Sequence, residues 1–188
     1  MGEPRVLALA SITELANING LYFLTYSWLF GMSLWVTFFG GVIAYKALPR
    51  QQFGALQHKT FPVYFFISIV QSLGLLGYWA WTHPTVLSHP TSFVLADNIQ
   101  AYVIALVAIY QSGNYFVIGP YTSKVMFRRH KLEKAEGKAY NDAGVSAEMK
   151  GINKLFGQLH GISSLLNLGS FILLAFHGLW LAKHGLSS

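Results

Sequence analysis

Four long apolar stretches, separated by polar segments, constrain this chain more than any other feature. They lie at about residues 21–45, 61–81, 93–119 and 161–182, and the first contains no charged residue. About 20 apolar residues cross the hydrocarbon core of a bilayer as a helix, and a helix satisfies its own backbone hydrogen bonds, which lipid cannot do. The pattern therefore predicts an all-α fold, an integral membrane four-helix bundle.

The composition agrees with a chain that faces lipid. Only 11 % of the residues are charged, whereas soluble domains carry about 25 %. The absence of cysteine excludes disulfides, thiolate catalysis and cysteine-bound metal sites. No nucleic-acid partner is expected, because the net charge of +6 is concentrated next to the apolar stretches, where positive charge sets orientation.

The apolar stretches divide the chain into three parts. Residues 1–20 form an N-terminal segment, residues 21–182 the four-span transmembrane domain, and residues 183–188 a C-terminal tail. Within the first part, residues 6–18 fit either a short helix at the membrane interface or no regular structure.

A helical hairpin is predicted at about residues 121–160, where spans three and four extend beyond the membrane. Its turn is expected near the glycines at 137 and 144. Ser146 is placed to cap the second helix, with Glu148 favourable in the first turn. Pro120 is a candidate for a kink at the start of the first extension.

Basic residues predict the orientation of the bundle. The segments 46–60 and 120–160 contain 11 of the 13 Lys and Arg residues, and the other two are Arg5 and Lys183. Loops rich in Lys and Arg stay in the cytosol. Both segments are therefore expected to be cytosolic and both termini non-cytosolic, while the identity of the membrane stays open.

Polar side chains within the spans form the first candidate site, because such groups normally face another helix or a cavity. On span four, the polar residues fall within an arc of about 120° at the helical repeat. The candidate polar seam comprises Thr37, Asn114, His160, Ser163, Ser164 and Asn167. Two interpretations stay open, hydrogen bonding between helices and a site for binding or gating.

The short segment between spans one and two forms the second candidate site, an ordered cytosolic cap. Its residues are Pro49, Arg50, Phe53, Gln57 and Lys59. Pro49 suits the first turn of a helix, and Pro62 is expected to begin span two in the same way. Arg50 is a candidate for a two-pronged contact, with phosphates or with the carbonyl ends of span one, which lysine could not reproduce. The alternative is a loose linker.

The sequence contains no recognisable catalytic motif. There is no pair of carboxylates at catalytic spacing, no His-Glu-x-x-His and no glycine-rich phosphate loop. Four histidines lie towards the non-cytosolic side: His83, His89, His177 and His184. Facing histidines can hold a haem in a four-helix bundle, but this spacing is generic. We expect no catalytic residue, metal or cofactor, with a haem or redox role as the least favoured alternative.

Several motifs occur in order along the chain. Leu48-Pro49-Arg50-Gln51-Gln52-Phe53-Gly54 precedes Phe61-Pro62-Val63-Tyr64-Phe65, and His160-Gly161-Ile162-Ser163-Ser164 opens span four. Together with Asn114, Pro120 and Thr122 they resemble the transmembrane protein 205-like family, over roughly residues 25–170. The resemblance implies a small multi-pass protein of four helices, and it implies no enzymatic activity.

Two classes of function follow. The first is a structural or interaction component that binds the lipid bilayer, other membrane proteins or further copies of itself. The basic run Arg128-Arg129-His130-Lys131 suits anionic lipid headgroups. The alternative is an oligomeric small-solute transporter or channel.

The orientation can be tested with epitope tags placed at residue 2 and at residue 188. Because basic loops stay cytosolic, both tags should resist a protease added to the cytosolic face, while a tag inserted near residue 141 should be digested. Digestion of either terminal tag from that face would contradict the orientation.

Overall fold

A computed structural model describes residues 8–186 as a bundle of helices, without a strand in that range. The helices are α1 (Leu9–Glu14), α2 (Ile18–Ala47), α3 (Arg50–Thr82), α4 (Thr85–Ser88), α5 (Ala96–Glu136) and α6 (Ala147–His184). Residues 6 and 7 of the possible interfacial helix and the extreme termini lie outside the described residues.

Four of these helices, α2, α3, α5 and α6, are long and apolar enough to cross a membrane. Their outer faces expose large apolar side chains, for example Trp28, Val70, Ile109 and Leu165. Such faces are costly in water and favourable in lipid. The predicted all-α membrane bundle is therefore confirmed.

Each long helix packs beside two others, in the cyclic order α2, α3, α5, α6. We call the end with the turns at 48–49 and 137–146 the basic end, and the opposite end the far end. At the basic end, α5 and α6 continue as a hairpin closed by Val125, Ile152 and Leu159. The hairpin has the helical form that the sequence predicted.

Local sequence signals explain where the hairpin turns. Gly137 ends α5 with a left-handed backbone, φ 65°, which glycine adopts without a steric cost. Ser146 precedes α6, and its hydroxyl accepts a hydrogen bond from the backbone N–H of Met149 at 3.0 Å. The predicted cap by Ser146 is confirmed.

Pro62 does not begin a helix, and the prediction that it starts span two is wrong. Helix α3 runs unbroken from Arg50 to Thr82 with Pro62 inside it. Proline removes one backbone hydrogen bond, but membrane helices tolerate it where neighbouring groups compensate. The segment after Pro49 is therefore ordered as the first part of a long helix, and its role as a cytosolic cap stays a prediction.

Two of the long helices contain a wide π-helical turn. In α2 it spans Val36–Gly40, and in α5 it spans Asn114–Ile118. The backbone N–H of Gly119 bonds to the carbonyl of Asn114, five residues earlier. Pro120, which follows directly, has no N–H to donate. The distortion expected at Pro120 thus takes the form of a π turn just before it.

An apolar layer occupies the half of the bundle towards the far end. Leu29, Leu75, Ile104 and Leu174 come one from each long helix, and each is at most 2 % exposed. Close packing of side chains from all four helices holds the bundle together, because lipid supplies no hydrophobic drive between helices.

Beyond this layer, His177 forms a buried polar cluster. Its Nδ1 lies 2.8 Å from Gln100 Oε1 and its Nε2 lies 2.7 Å from the Tyr22 hydroxyl. The Gln100 oxygen can only accept, so Nδ1 donates and Nε2 accepts from Tyr22. Both ring nitrogens are therefore engaged within the protein, which disfavours a haem on His177.

Gly178 allows a close approach between α2 and α6. The hydroxyl of Tyr26 donates to the carbonyl of Leu174 at 2.9 Å, and it lies where a Cβ on Gly178 would be. The buried tyrosine ring cannot move aside without disturbing the packing around it.

Replacing Gly178 with alanine should therefore destabilise the bundle by about 1–3 kcal/mol through overpacking. The measurement is the melting temperature of purified protein in one detergent. Gly161→Ala is the matched control on α6, because its Cβ would meet nothing within 4 Å. Equal melting temperatures for the two variants would contradict this account of the α2–α6 contact.

Candidate functional site

A cavity of about 840 Å³ lies between the four long helices, in the half of the bundle towards the basic end. Every long helix contributes to its wall, and so do both π turns. Its volume falls within the range of about 300–1,000 Å³ that is usual for small-molecule sites.

Asn167 organises the deep end of the cavity through hydrogen bonds to two other helices. Its side-chain nitrogen donates to the Thr37 hydroxyl at 2.8 Å, and its side-chain oxygen accepts from the Tyr64 hydroxyl at 2.7 Å. Asn167 is 8 % exposed, which is the interior placement predicted for it. Because the Thr37 oxygen accepts, its own proton is available to a further acceptor.

Asn114 supplies a second polar group at this end. It is fully buried, and its side-chain nitrogen donates to the carbonyl of Ser163 at 3.3 Å. Its side-chain oxygen has no hydrogen-bond partner among the described residues. A buried acceptor without a partner costs about 1–3 kcal/mol.

Both π turns contribute polar residues to the cavity. Thr37 lies within the π turn of α2, and Asn114 begins the π turn of α5. Wide turns of this kind occur often at functional sites, because the inserted residue displaces side chains from the regular helical path.

The remaining wall consists mostly of aromatic and other apolar residues, with Gln57, His58, Thr122 and Ser123 as further polar members. It includes Phe61, Phe65, Tyr115, Phe116 and Phe156. Among the described residues, the lining includes no carboxylate, lysine or arginine. The interior of the cavity is therefore apolar with a few uncharged hydrogen-bonding groups.

The cavity is not sealed from its surroundings. Its lining residues Val42 and Tyr45 on α2, and His160 and Ser164 on α6, are also exposed on the bundle surface. The last part of α2, Gly41–Ala47, has no buried residue. A molecule in the membrane can thus reach the wall of the cavity from outside.

All six residues of the predicted polar seam line this cavity. They differ in exposure, because Asn114 and Asn167 are buried whereas His160 and Ser164 are exposed. Asn167 and Asn114 make contacts between helices. The seam thus joins helices and also lines the cavity, while a role in binding stays a prediction.

The residues predicted to form the cytosolic cap separate into different environments. Phe53 and Gln57 line the cavity. Pro49 precedes α3, and Lys59 is exposed on it. Arg50 points instead to the α5–α6 hairpin.

Arg50 is held by a carboxylate and an aromatic ring. Its Nη2 pairs with one oxygen of Glu133, and its guanidinium lies 3.8 Å from the centre of the Tyr140 ring. The predicted two-pronged contact is replaced by this single pair and a cation–π contact. The Tyr140 backbone N–H also donates to Glu133, at 2.8 Å.

Glu133 lies outside the membrane-spanning part of α5, and its ionisation is tied to these contacts. Burial raises the pKa of its carboxyl, but the hydrogen bonds from Arg50 and Tyr140 and the charge of Arg50 outweigh burial and lower the pKa. The carboxylate is therefore ionised at neutral pH and keeps the pair intact.

Arg129 extends this cluster towards the cavity. Its guanidinium lies 4.5 Å from the Tyr140 ring and 4.1 Å from the ring of Phe156, a cavity residue. Phe156 in turn stacks on His160. The hairpin turn and the cavity wall are thus joined by a continuous series of stacked side chains.

Sequence reasoning missed several of these residues. Tyr64 lies in an apolar stretch with no polar neighbour to mark it, and Tyr140 lies in the predicted turn. Arg129 and Glu133 stand four residues apart on one face of α5, which was the one available signal for a charged cluster.

This chain is similar in sequence to a protein family and to individual proteins of known name. A family model described as a domain of unknown function (DUF4149) matches residues 24–131, more than half of the chain. Transmembrane protein 205 of Danio rerio is 28 % identical over 183 residues, which cover 90 % of this chain and 93 % of that protein. Xanthocillin biosynthesis cluster protein D of Aspergillus fumigatus is 25 % identical over 174 residues, covering 93 % and 95 %. No solved structure matches.

Arg50→Lys should lower the melting temperature, because lysine lacks the planar group that contacts both Glu133 and Tyr140. We expect a loss of about 1–2 kcal/mol at neutral pH. The lowered pKa of Glu133 means that the ion pair stabilises the fold above the ordinary carboxyl pKa and is lost as the pH falls.

The difference between Arg50→Lys and wild type should therefore shrink on acidification. Lys59→Arg, the reverse exchange at an exposed position of the same helix, is the control and should melt like wild type. A pH-independent difference, or none at neutral pH, would contradict the proposed role of the pair.

Proposed function

Because the chain belongs to the DUF4149 family, whose description names no activity, we propose its function from the cavity itself. The protein binds one uncharged amphipathic molecule from the membrane in the cavity between its four helices. The matched region 24–131 includes three of the four helices that form the wall, and the resemblance to the transmembrane protein 205-like family is confirmed.

The observation that carries this proposal is the contrast between the two parts of the cavity. The side-chain oxygen of Asn114, unpartnered in the described part of the chain, and the Thr37 hydroxyl, which accepts from Asn167, lie at its deep end, and aromatic and other apolar residues make up most of the remaining wall. A hydroxyl, ester or amide would bond at the deep end while an apolar body packs against the rings.

The absence of charge from the described lining supports an uncharged ligand. A charge buried away from water is costly unless an opposite charge accompanies it. Single-chain glycerides and sterols fit this chemistry, whereas the phosphate of a two-chain phospholipid would have no partner. Of the partners expected from the sequence, the cavity favours a lipid-like molecule over another membrane protein.

The apolar layer of Leu29, Leu75, Ile104 and Leu174 favours binding over transport. Leu174 lies between Asn167 and His177 along α6, so the layer separates the cavity from the polar cluster at the far end. An oligomeric transporter or channel would need a path through this layer. An enzyme would need reactive groups in addition to the uncharged hydrogen-bonding groups at the cavity wall.

The predicted orientation of the bundle indicates which leaflet of the membrane supplies the ligand. The two basic segments predict that the basic end faces the cytosol, so the cavity would take its ligand from the cytosolic leaflet. Both termini would then lie on the other side of the membrane.

Gly41→Leu should block the cavity. Gly41 lines it, and a Cβ there would meet only the side chain of Gln57 at 3.7 Å, so a longer side chain can extend into the open space. The measurement is photolabelling of purified protein by a diazirine-bearing monoacylglycerol and a diazirine-bearing sterol. We expect labelling of wild type by at least one probe and a decrease of about tenfold in the variant.

Gly31→Leu is the matched control on the same helix, because Gly31 is exposed with nothing within 4 Å of its Cβ. It should label like wild type. Equal labelling of the two variants, or labelled peptides that exclude the cavity residues, would contradict binding at this site.

A further inference from the structure

A second site is suggested by a groove on the outside of the basic end, which does not depend on the cavity. The groove, of about 930 Å³, lies between the first turn of α3, the last turns of α5 and the turn that follows. We call it the basic groove. Its polar lining includes Arg50, Gln51, Gln52, Lys131, Lys134 and Lys138.

The four residues of the basic run 128–131 lie in different environments and do not form one charged surface. Arg128 pairs with Glu148 of α6 at 2.6 Å. Arg129 is buried, 8 % exposed, against Tyr140 and Phe156. Of the four residues, His130 and Lys131 line the groove, so its charge must come from elsewhere in the fold.

Helical spacing and the turn supply that charge. Lys131 and Lys134 lie on one face of α5, Lys138 enters from the turn, and Arg50 comes from α3. The four cations meet one carboxylate, Glu133, which is already engaged by Arg50 and by the Tyr140 backbone. Burial lowers the pKa of His130, so its ring adds no charge near neutral pH.

Lys131 and Lys134 are available to a ligand. Neither has an ion-pair partner in the part of the chain that the structure describes. Lys138 is held in place, because its ammonium donates to the carbonyl of Gly144 at 3.0 Å. Two free cations and two fixed ones therefore face the same space.

The start of α3 adds backbone donors to the groove. Arg50, Gln51 and Gln52 form its first turn, and no side chain caps it. The free N–H groups and the positive end of a helix of 33 residues favour an anion.

Position also points to a ligand at the membrane surface. The groove begins at Pro49, directly after the helix that contains span one, and this places it near the lipid headgroups. Basic pockets beside membrane helices bind lipids with phosphorylated headgroups.

We propose that the basic groove binds an anionic headgroup with more than one phosphate, of the inositol phosphate type. A single phosphate would leave cations unmatched, because three lysines converge there in addition to Arg50, whose charge Glu133 offsets. The same chemistry occurs in a membrane lipid and in a free inositol phosphate.

The test uses the full chain in detergent and measures its melting temperature with three probes. They are a short-chain phosphatidylinositol bisphosphate, a short-chain phosphatidylcholine and inositol trisphosphate. We expect the bisphosphate lipid to raise the melting temperature and phosphatidylcholine to leave it unchanged. An equal effect of inositol trisphosphate supports a soluble ligand, and a much weaker one supports the lipid.

The double variant Lys131→Gln/Lys134→Gln should weaken binding of the effective probe by about 30-fold, since each cation near the surface contributes a factor of about five. Lys150→Gln/Lys154→Gln removes the same charge from exposed positions on α6 outside the groove. It should bind like wild type. If the first variant melts early without ligand, Lys134→Gln alone replaces it, with an expected loss of about fivefold.

Equal weakening by both double variants would show that general positive charge attracts the probe, and the groove would not be a site. A lack of any shift with both phosphorylated probes would overturn the proposal as well. Neither result bears on the cavity, since its test uses uncharged probes and different variants.

Discussion

Hydrocarbon offers no hydrogen bonds, and this one constraint shapes the whole bundle. Backbone groups must bond within helices, and polar side chains must find partners inside the protein. Asn167 does so by joining Thr37 on α2 and Tyr64 on α3, and His177 does so with Tyr22 and Gln100. The polar interior is thus a direct result of the apolar exterior. Among the described residues, unpartnered polar atoms remain at the cavity, such as Asn114 Oδ1, and also elsewhere in the interior, such as Gln100 Nε2.

Much of the fold could be predicted from the sequence, because long apolar stretches and helix caps are local signals. Ser146 and Gly137 mark the hairpin by their own chemistry. The helical arc of polar residues on span four predicted that Asn167 would face inward. A periodic pattern shows which face of one helix points inward, but it does not show which residue on another helix that face contacts. The contact between Arg50 and Glu133 joins residues 83 positions apart.

The π turns were also beyond sequence reasoning, apart from the hint given by Pro120. Their residues, Val36–Gly40 and Asn114–Ile118, have no composition that distinguishes them from an ordinary apolar helix. Pro62 is a second case in which the sequence alone misleads, because proline usually ends a helix and yet Pro62 lies inside α3 without ending it. Whether proline changes a helix depends on the groups that surround it in the folded bundle.

The π turns have a consequence for how these helices can change over evolution. Each wide turn contains one residue more than an α-helix would need over the same length. Loss of one residue from Val36–Gly40 would restore a regular helix and leave the following arm, Gly41–Ala47, close to its present orientation, because the wide turn absorbs the extra residue locally. Gly41 would then keep its place at the cavity wall, whereas the same deletion in a regular α-helix would rotate the arm by about 100°. The π turn of α2 is therefore a place where the chain can gain or lose one residue while the lipid-facing and inward-facing sides of the arm stay the same.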